Sequence, residues 1–258
     1  MIDITTAAKL GIQLMDLTSL NLDDTPAKIS ELCTTAKTDY GQPAALCVYP
    51  EHVAWAKYQC SQRGLATMKV ATVTNFPAGY DDIERALEET QRAISAGADE
   101  VDVVMPYRAF LQGDRQLAKE LITNCKGIVG DAKGLKVILE TGVLEQPKLI
   151  RDASLLAIDA GADFIKTSTG KVPVNATLGA AKEMLSAIKE TGGRCGFKAA
   201  GGVRTATDAQ AYLQLAESIL GRDYLSATTF RFGASGLLTN LQQTLAGESS
   251  MNQSGTSY

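Results

Sequence analysis

A closed barrel of eight parallel strands alternating with helices, the (β/α)8 fold, is predicted by three features of the sequence. The stretches SAGADEVDVVMP (95–106) and DAGADFIKTSTG (159–170) are alike: each sets Ala-Gly-Ala-Asp directly before a short apolar run, as where a helix ends on glycine and a strand begins. Short apolar runs of this kind recur eight times, separated by segments with helical spacing. An open doubly wound sheet would alternate too, but eight units in 258 residues match the size and count of a closed barrel.

Taken along the chain, LMDLT (14–18) reads as the first strand, followed by a helix over 23–37 that tolerates Pro26 in its first turn. AALCV (44–48) is the second strand, and a helix starts behind Pro50 with His52 in its first turn. KVATV (69–73) is the third. The clearest helix is 81–97, where Ile83, Leu87, Thr90 and Ile94 share a face, Asp81 and Asp82 suit the positive N-terminal end, and Gly97 closes the other. Strands follow at EVDVV (100–104), KVILE (136–140), DFIKT (163–167) and CGFKA (195–199). A helix over 205–221 opens on capping residues and ends on glycine, and TFRFG (229–233) is the eighth strand. One domain over 1–246 is expected, with a polar Gly/Ser-rich tail over 247–258 that has little apolar surface to bury.

Composition excludes several classes of function. Hydrophobic residues are 45% and charged residues 21%, a globular profile, and the net charge of −4 gives no electrostatic reason to expect nucleic acid. No long apolar run or basic leader occurs, so neither a membrane span nor an export signal is expected. The five cysteines, Cys33, Cys47, Cys60, Cys125 and Cys195, are scattered and form no CxxC pair, which suits free thiols in a reducing cytoplasm.

In a barrel, side chains along a strand alternate between interior and helix layer, and function sits at the C-terminal strand ends. The alternation turns Ile165 outward and Phe164 and Lys166 inward, Phe197 outward and Lys198 inward, and Val101 and Val103 outward with Asp102 inside. Asp16 is a second inward carboxylate by the same count. Each of these alone is ordinarily a solvated rim residue. Together they would leave several charges unpaired in one interior, at several kcal/mol each, so a functional set is the better account.

Two neighbouring amines and a carboxylate suit imine chemistry. A lysine beside another cation loses its proton more readily and attacks carbonyls, and the resulting iminium withdraws electrons so that a carbon–carbon bond one atom further on can break. This is Schiff-base aldolase logic. A metal-dependent route needs a cluster of nitrogen ligands, but His52 is the only histidine and reads as structural or solvated. Glycine-rich stretches follow the last three strands, at STGK (168–171), AAGGVRT (199–205) and RFGASG (231–236). Each could be an ordinary turn, but together they favour a phosphate, with Lys171 as a contact and Arg204 as a helper.

The ordered set LMDLT, AALCVYP, ATVTNFP, GADEVDVV, GADFIKTSTGK, GFKAAGGVRT and RFGAS resembles the deoxyribose-phosphate aldolase family over nearly the whole chain. The resemblance implies a (β/α)8 barrel that reversibly cleaves 2-deoxy-D-ribose 5-phosphate into D-glyceraldehyde 3-phosphate and acetaldehyde, in deoxynucleoside catabolism and without cofactor or metal. It assigns Lys166 to the imine, Lys198 to lowering its pKa, Asp102 to acid/base work with a water, and Asp16 to orienting Lys198. Gly170, Lys171, Gly201, Gly202, Gly233 and Ser235 match phosphate-loop positions. Cys47 matches a pocket cysteine, although an inert core thiol fits it equally, and Tyr258 matches a terminal tyrosine that folds over the substrate. Partners are then small phosphosugars and aldehydes, and a homodimer is a compatible assembly. Relatives carry proline where this chain has Ala199, expected to loosen the loop after the seventh strand. They carry a second serine in place of Gly236, which removes a hydroxyl from the phosphate loop. Two other readings fit the same residues: a transaldolase-like Schiff-base enzyme on a larger phosphosugar, and a non-catalytic sugar-phosphate sensor, against which the inward Asp102 counts.

Overall fold

The computed structural model describes residues 1–247; the expected tail, with Tyr258, lies outside them but for its first residue. Eight parallel strands close into one barrel in sequence order: β1 (Met15–Thr18), β2 (Ala45–Val48), β3 (Lys69–Thr74), β4 (Glu100–Val104), β5 (Gly134–Ile138), β6 (Phe164–Lys166), β7 (Gly196–Ala200) and β8 (Phe230–Ala234), with β8 returning to pair β1. Around them run α1 (Ile4–Gln13), α2 (Pro26–Thr35), α3 (Val53–Gln62), α4 (Ile83–Ser95), α5 (Tyr107–Leu111), α6 (Arg115–Val129), α7 (Thr141–Leu144), α8 (Pro147–Asp159), α9 (Leu178–Glu190), α10 (Ala206–Leu220) and α11 (Leu237–Leu245). No helix among the described residues is long and apolar enough to cross a membrane.

Local chemistry explains the helix starts. Asp3, Thr25, Asp82, Asp114, Thr177 and Thr205 cap six helices by accepting a backbone N–H with their side chains, and Thr205 completes a reciprocal box with Asp208. The core lies mainly between barrel and helices, where Leu17, Leu46, Val70, Val101, Val137, Ile165, Phe197 and Phe232 meet the buried faces of the helices. The expected strands agree within a residue or so, except the fifth. It begins at Gly134 rather than 136 and ends at Ile138, because Asp102 pairs in register with Lys136 and the chain turns at Glu140. That correction moves Lys136 from the strand start to its middle, facing inward.

Candidate active site

The barrel interior holds a connected set of seven buried charges. Asp102 Oδ2 accepts from Lys166 Nζ at 2.8 Å and Lys198 Nζ at 2.7 Å, while its Oδ1 accepts from Lys136 Nζ at 2.9 Å. Asp16 receives Lys198 Nζ and the Arg231 guanidinium, each at 2.5 Å. Glu100 receives Lys136 at 2.5 Å and both terminal nitrogens of Arg231, at 2.9 and 3.1 Å. Register makes this possible: Lys166, Lys198 and Arg231 are neighbours across β6, β7 and β8, and Asp102 lies opposite Lys136 across β4 and β5. Phe164 floors the set, with Lys136 Nζ at 6.0 Å and Arg231 Cζ at 5.6 Å from its ring centroid.

Four buried cations face three buried carboxylates, one of which, Glu100, also accepts the half-exposed Lys69 Nζ at 2.9 Å, so positive charge is in excess. Burial and the Lys198 cation push the Lys166 pKa below the ordinary lysine value, and Asp102 only partly opposes them. Lys198 behaves oppositely: burial favours its neutral form, but Asp102 and Asp16 hold it protonated. Lys198 was expected to account for the lowered pKa of Lys166; it contributes, but burial is the larger cause. Asp102 feels burial too, yet Lys136, Lys166 and Lys198 outweigh it and keep the carboxyl well below its usual range.

Above Lys166 lies a cavity of about 450 Å³. Every expected phosphate-loop residue lines it: Gly170, Lys171, Gly201, Gly202, Arg204, Gly233 and Ser235, joined by Gly236. Of the seven interior charges Lys166 alone lines it; Asp102, Lys198 and Asp16 are buried behind. Gly233 is required where it stands, because a Cβ there would come within 2.9 Å of Lys198 Cε. Gly201 combines a φ of +78° with a site where a Cβ would fall 2.7 Å from Asn175. Two helix starts flank the mouth. At α10, Asp208 already accepts the backbone N–H groups of Arg204 and Thr205, whereas α11 follows Gly236 with no side-chain cap, leaving its N-terminal donors available to an anion.

Some expectations need correction. Ala199 sits inside β7, fully buried, so it does not belong to the loop after that strand. Cys47 does not line the cavity; it is buried with Leu20, Ala71 and Val73, and burial raises its thiol pKa. His52 is buried in a 3-10 turn before α3. Among the described residues no group of His, Cys, Asp or Glu is disposed to hold a metal ion. Lys136, Glu100 and Arg231 join the set beyond the expected residues, although the alternation that turns Asp102 inward also turns Glu100 in, and within β8 Arg231 is inward by the same period.

A family model described as DeoC/LacD family aldolase matches residues 10–243. The chain belongs to this family. Solved structures agree with the fold of this aldolase. A proposed deoxyribose-phosphate aldolase from Toxoplasma gondii ME49 superposes with a TM-score of 0.86 at 23% identity, covering 96% of this chain and 97% of that one. Another from Coccidioides immitis gives 0.79 at 29% identity over 92% and 86%. A deoxyribose phosphate aldolase from Aeropyrum pernix, described as tetrameric, gives 0.73 at 24% identity over 94% and 92%. The protein is an aldehyde-lyase built on a (β/α)8 barrel.

Proposed function

We propose that this aldolase reversibly cleaves 2-deoxy-D-ribose 5-phosphate into D-glyceraldehyde 3-phosphate and acetaldehyde, through an imine on Lys166 and without metal or cofactor. On this reading it is a cytoplasmic enzyme of deoxynucleoside catabolism. The observation that carries it is the placement of Lys166: it is the surplus cation of the interior set, with a lowered pKa, and it opens onto a cavity walled by glycine loops. A phosphate suits this cavity, whose lining includes Lys171, Arg204 and Gly236, the residue before the uncapped α11.

Lys166 adds as the free amine to C1 of the open-chain sugar, and loss of water from the carbinolamine gives the iminium. Asp102, working with a water, takes the proton of the C3 hydroxyl. The C2–C3 electron pair then moves into the iminium, releasing D-glyceraldehyde 3-phosphate and leaving an enamine. Protonation at C2 and hydrolysis return acetaldehyde and Lys166. Lys198, kept charged by Asp16 and Asp102, sustains the field that favours the neutral amine and can pass protons to Asp102.

Trapping with acetaldehyde and borohydride should leave an ethyl group on the peptide carrying Lys166. An adduct on Lys198 instead would overturn the assignment, and dihydroxyacetone outperforming acetaldehyde as donor would favour a transaldolase-like enzyme. Imine formation also has an expected pH profile. Since the folded pKa of Lys166 is lowered, the single-turnover rate should rise with pH and level off below the ordinary value of 10.5, where a solvated lysine would still be climbing.

Gly236 gives a further expectation. Its φ of −97° suits any residue and a Cβ there would meet nothing within 4 Å, so Gly236→Ser should fold normally. Its hydroxyl should lower KM for the phosphorylated substrate by about tenfold, the equivalent of the ~1.5 kcal/mol contributed by an added hydrogen bond to a charged group. Steady-state kinetics on 2-deoxyribose 5-phosphate would check it, and an unchanged KM would place the phosphate elsewhere.

A further inference from the structure

Glu140 takes no part in the chemistry described above, yet it is fully buried and forms no ion pair among the described residues. Burial pushes its carboxyl pKa up. Its backbone is left-handed, with φ and ψ both at 57°, a conformation that residues other than glycine rarely adopt. The chain on either side is pinned to the end of β6: Leu139 N donates to Lys166 O at 3.0 Å and Thr141 N to Thr167 O at 2.9 Å. Strain of this kind persists where surrounding bonds over-determine it, and it often marks a functional position.

What the turn achieves is a chain of contacts that ends on the cavity lining. The Glu140 carboxylate accepts Thr169 Oγ1 at 2.6 Å and Thr169 N at 3.3 Å. Thr169 Oγ1 in turn accepts the backbone N–H of Lys171 at 3.1 Å, and Lys171 Nζ donates to Leu20 O in the loop after β1 at 2.6 Å. Thr169, Gly170, Lys171 and Leu20 all line the cavity. One carboxylate at the end of β5 thereby fixes the loop after β6, and through Lys171 that loop reaches the one after β1.

We propose that Glu140 is a positioning residue for substrate phosphate: it holds Thr169, and through it Lys171, in the arrangement that receives the anion. This rests on the phosphosugar reading above. Without both carboxylate oxygens, Thr169 can no longer be held at its hydroxyl and its backbone N–H together, and the Lys171 backbone loses a partner fixed in place. The loop must then be ordered by the ligand itself, which weakens binding of the phosphate end more than it slows chemistry at Lys166.

The test uses the full chain with Glu140→Gln, Thr169→Val and Thr169→Ser, probed with inorganic phosphate by calorimetry and with 2-deoxyribose 5-phosphate and unphosphorylated 2-deoxyribose by steady-state kinetics. Glu140→Gln and Thr169→Val should each weaken phosphate binding about tenfold and reduce the kcat/KM preference for the phosphorylated sugar by about the same factor, with KM rather than kcat carrying the change. Thr169→Ser, which keeps the hydroxyl, should recover most of the loss. Unchanged phosphate affinity in both Glu140→Gln and Thr169→Val, or an equal loss on both sugars, overturns the proposal. A parent enzyme that binds phosphate but cleaves neither sugar, with variants that bind it more weakly, would leave the role of Glu140 standing and remove the substrate assignment instead.

Discussion

Lys166→Leu should be inactive and yet more stable than the parent. If Lys166 forms the imine as proposed, its loss removes the covalent route, so retro-aldol turnover should fall on the order of 10⁴-fold or more, with no borohydride-trapped adduct. Stability should move the other way, because the substitution removes the surplus positive charge and leaves Lys136, Lys198 and Arg231 matched by Asp16, Glu100 and Asp102. A gain of about 1 kcal/mol, or roughly 2–4 °C in Tm for a domain of this size, is expected near neutral pH. The pH dependence follows from linkage. The Lys166 pKa is lowered in the folded state, so between that value and the unfolded value of 10.5 the unfolded chain binds more protons and the parent gains stability as pH rises. The advantage of the leucine variant should therefore be widest below the folded pKa and close toward 10.5. Thermal unfolding of both proteins across that range would show it, and a variant less stable at every pH would refute the charge count.

Asp102→Asn should be costly in both respects. It leaves four buried cations with only Asp16 and Glu100, and breaking a buried ionic set in this way costs about 3–5 kcal/mol. On the proposed role of Asp102 turnover should fall too, since the group that takes the C3 hydroxyl proton is gone. Adding Lys166→Leu to Asp102→Asn should return part of the lost stability, because the removed charges had faced each other at 2.8 Å. Urea unfolding of the two single variants and the double variant measures that coupling. Simple additivity would mean that the two groups act independently.

Much of this site could be read from alternation alone, because period two is strict within a strand: once DFIKT, GFKAA and VDVVM are strands, Lys166, Lys198 and Asp102 share an interior. The loops could be read because glycine marks close approach, and all of the expected phosphate-loop residues do line the cavity. Lys136 was lost to a two-residue displacement of β5: the apolar run Val137–Leu139 draws the strand forward, whereas pairing with β4 starts it at Gly134. Arg231 and Glu100 lay within expected strands, but their meaning depends on closure of the barrel, which brings β8 against β1 and lets Arg231 reach across to Glu100 on β4. Glu140 carried no local signal at all. Its left-handed backbone is imposed by hydrogen bonds from β6, and a glutamate in that conformation has no sequence signature.

The distribution of the seven interior charges along the chain has a consequence for assembly. All three carboxylates, Asp16, Glu100 and Asp102, come from the first four strands, and all four cations, Lys136, Lys166, Lys198 and Arg231, come from the last four. A chain divided between β4 and β5 would yield one half-barrel with an acidic inner face and another with a basic one. Each should be repelled by a copy of itself and attracted to the other, so two separately made halves should find each other as a heterodimer rather than close into like-with-like barrels. The ions around the amine proposed to form the imine thus also encode which half of the molecule may face which.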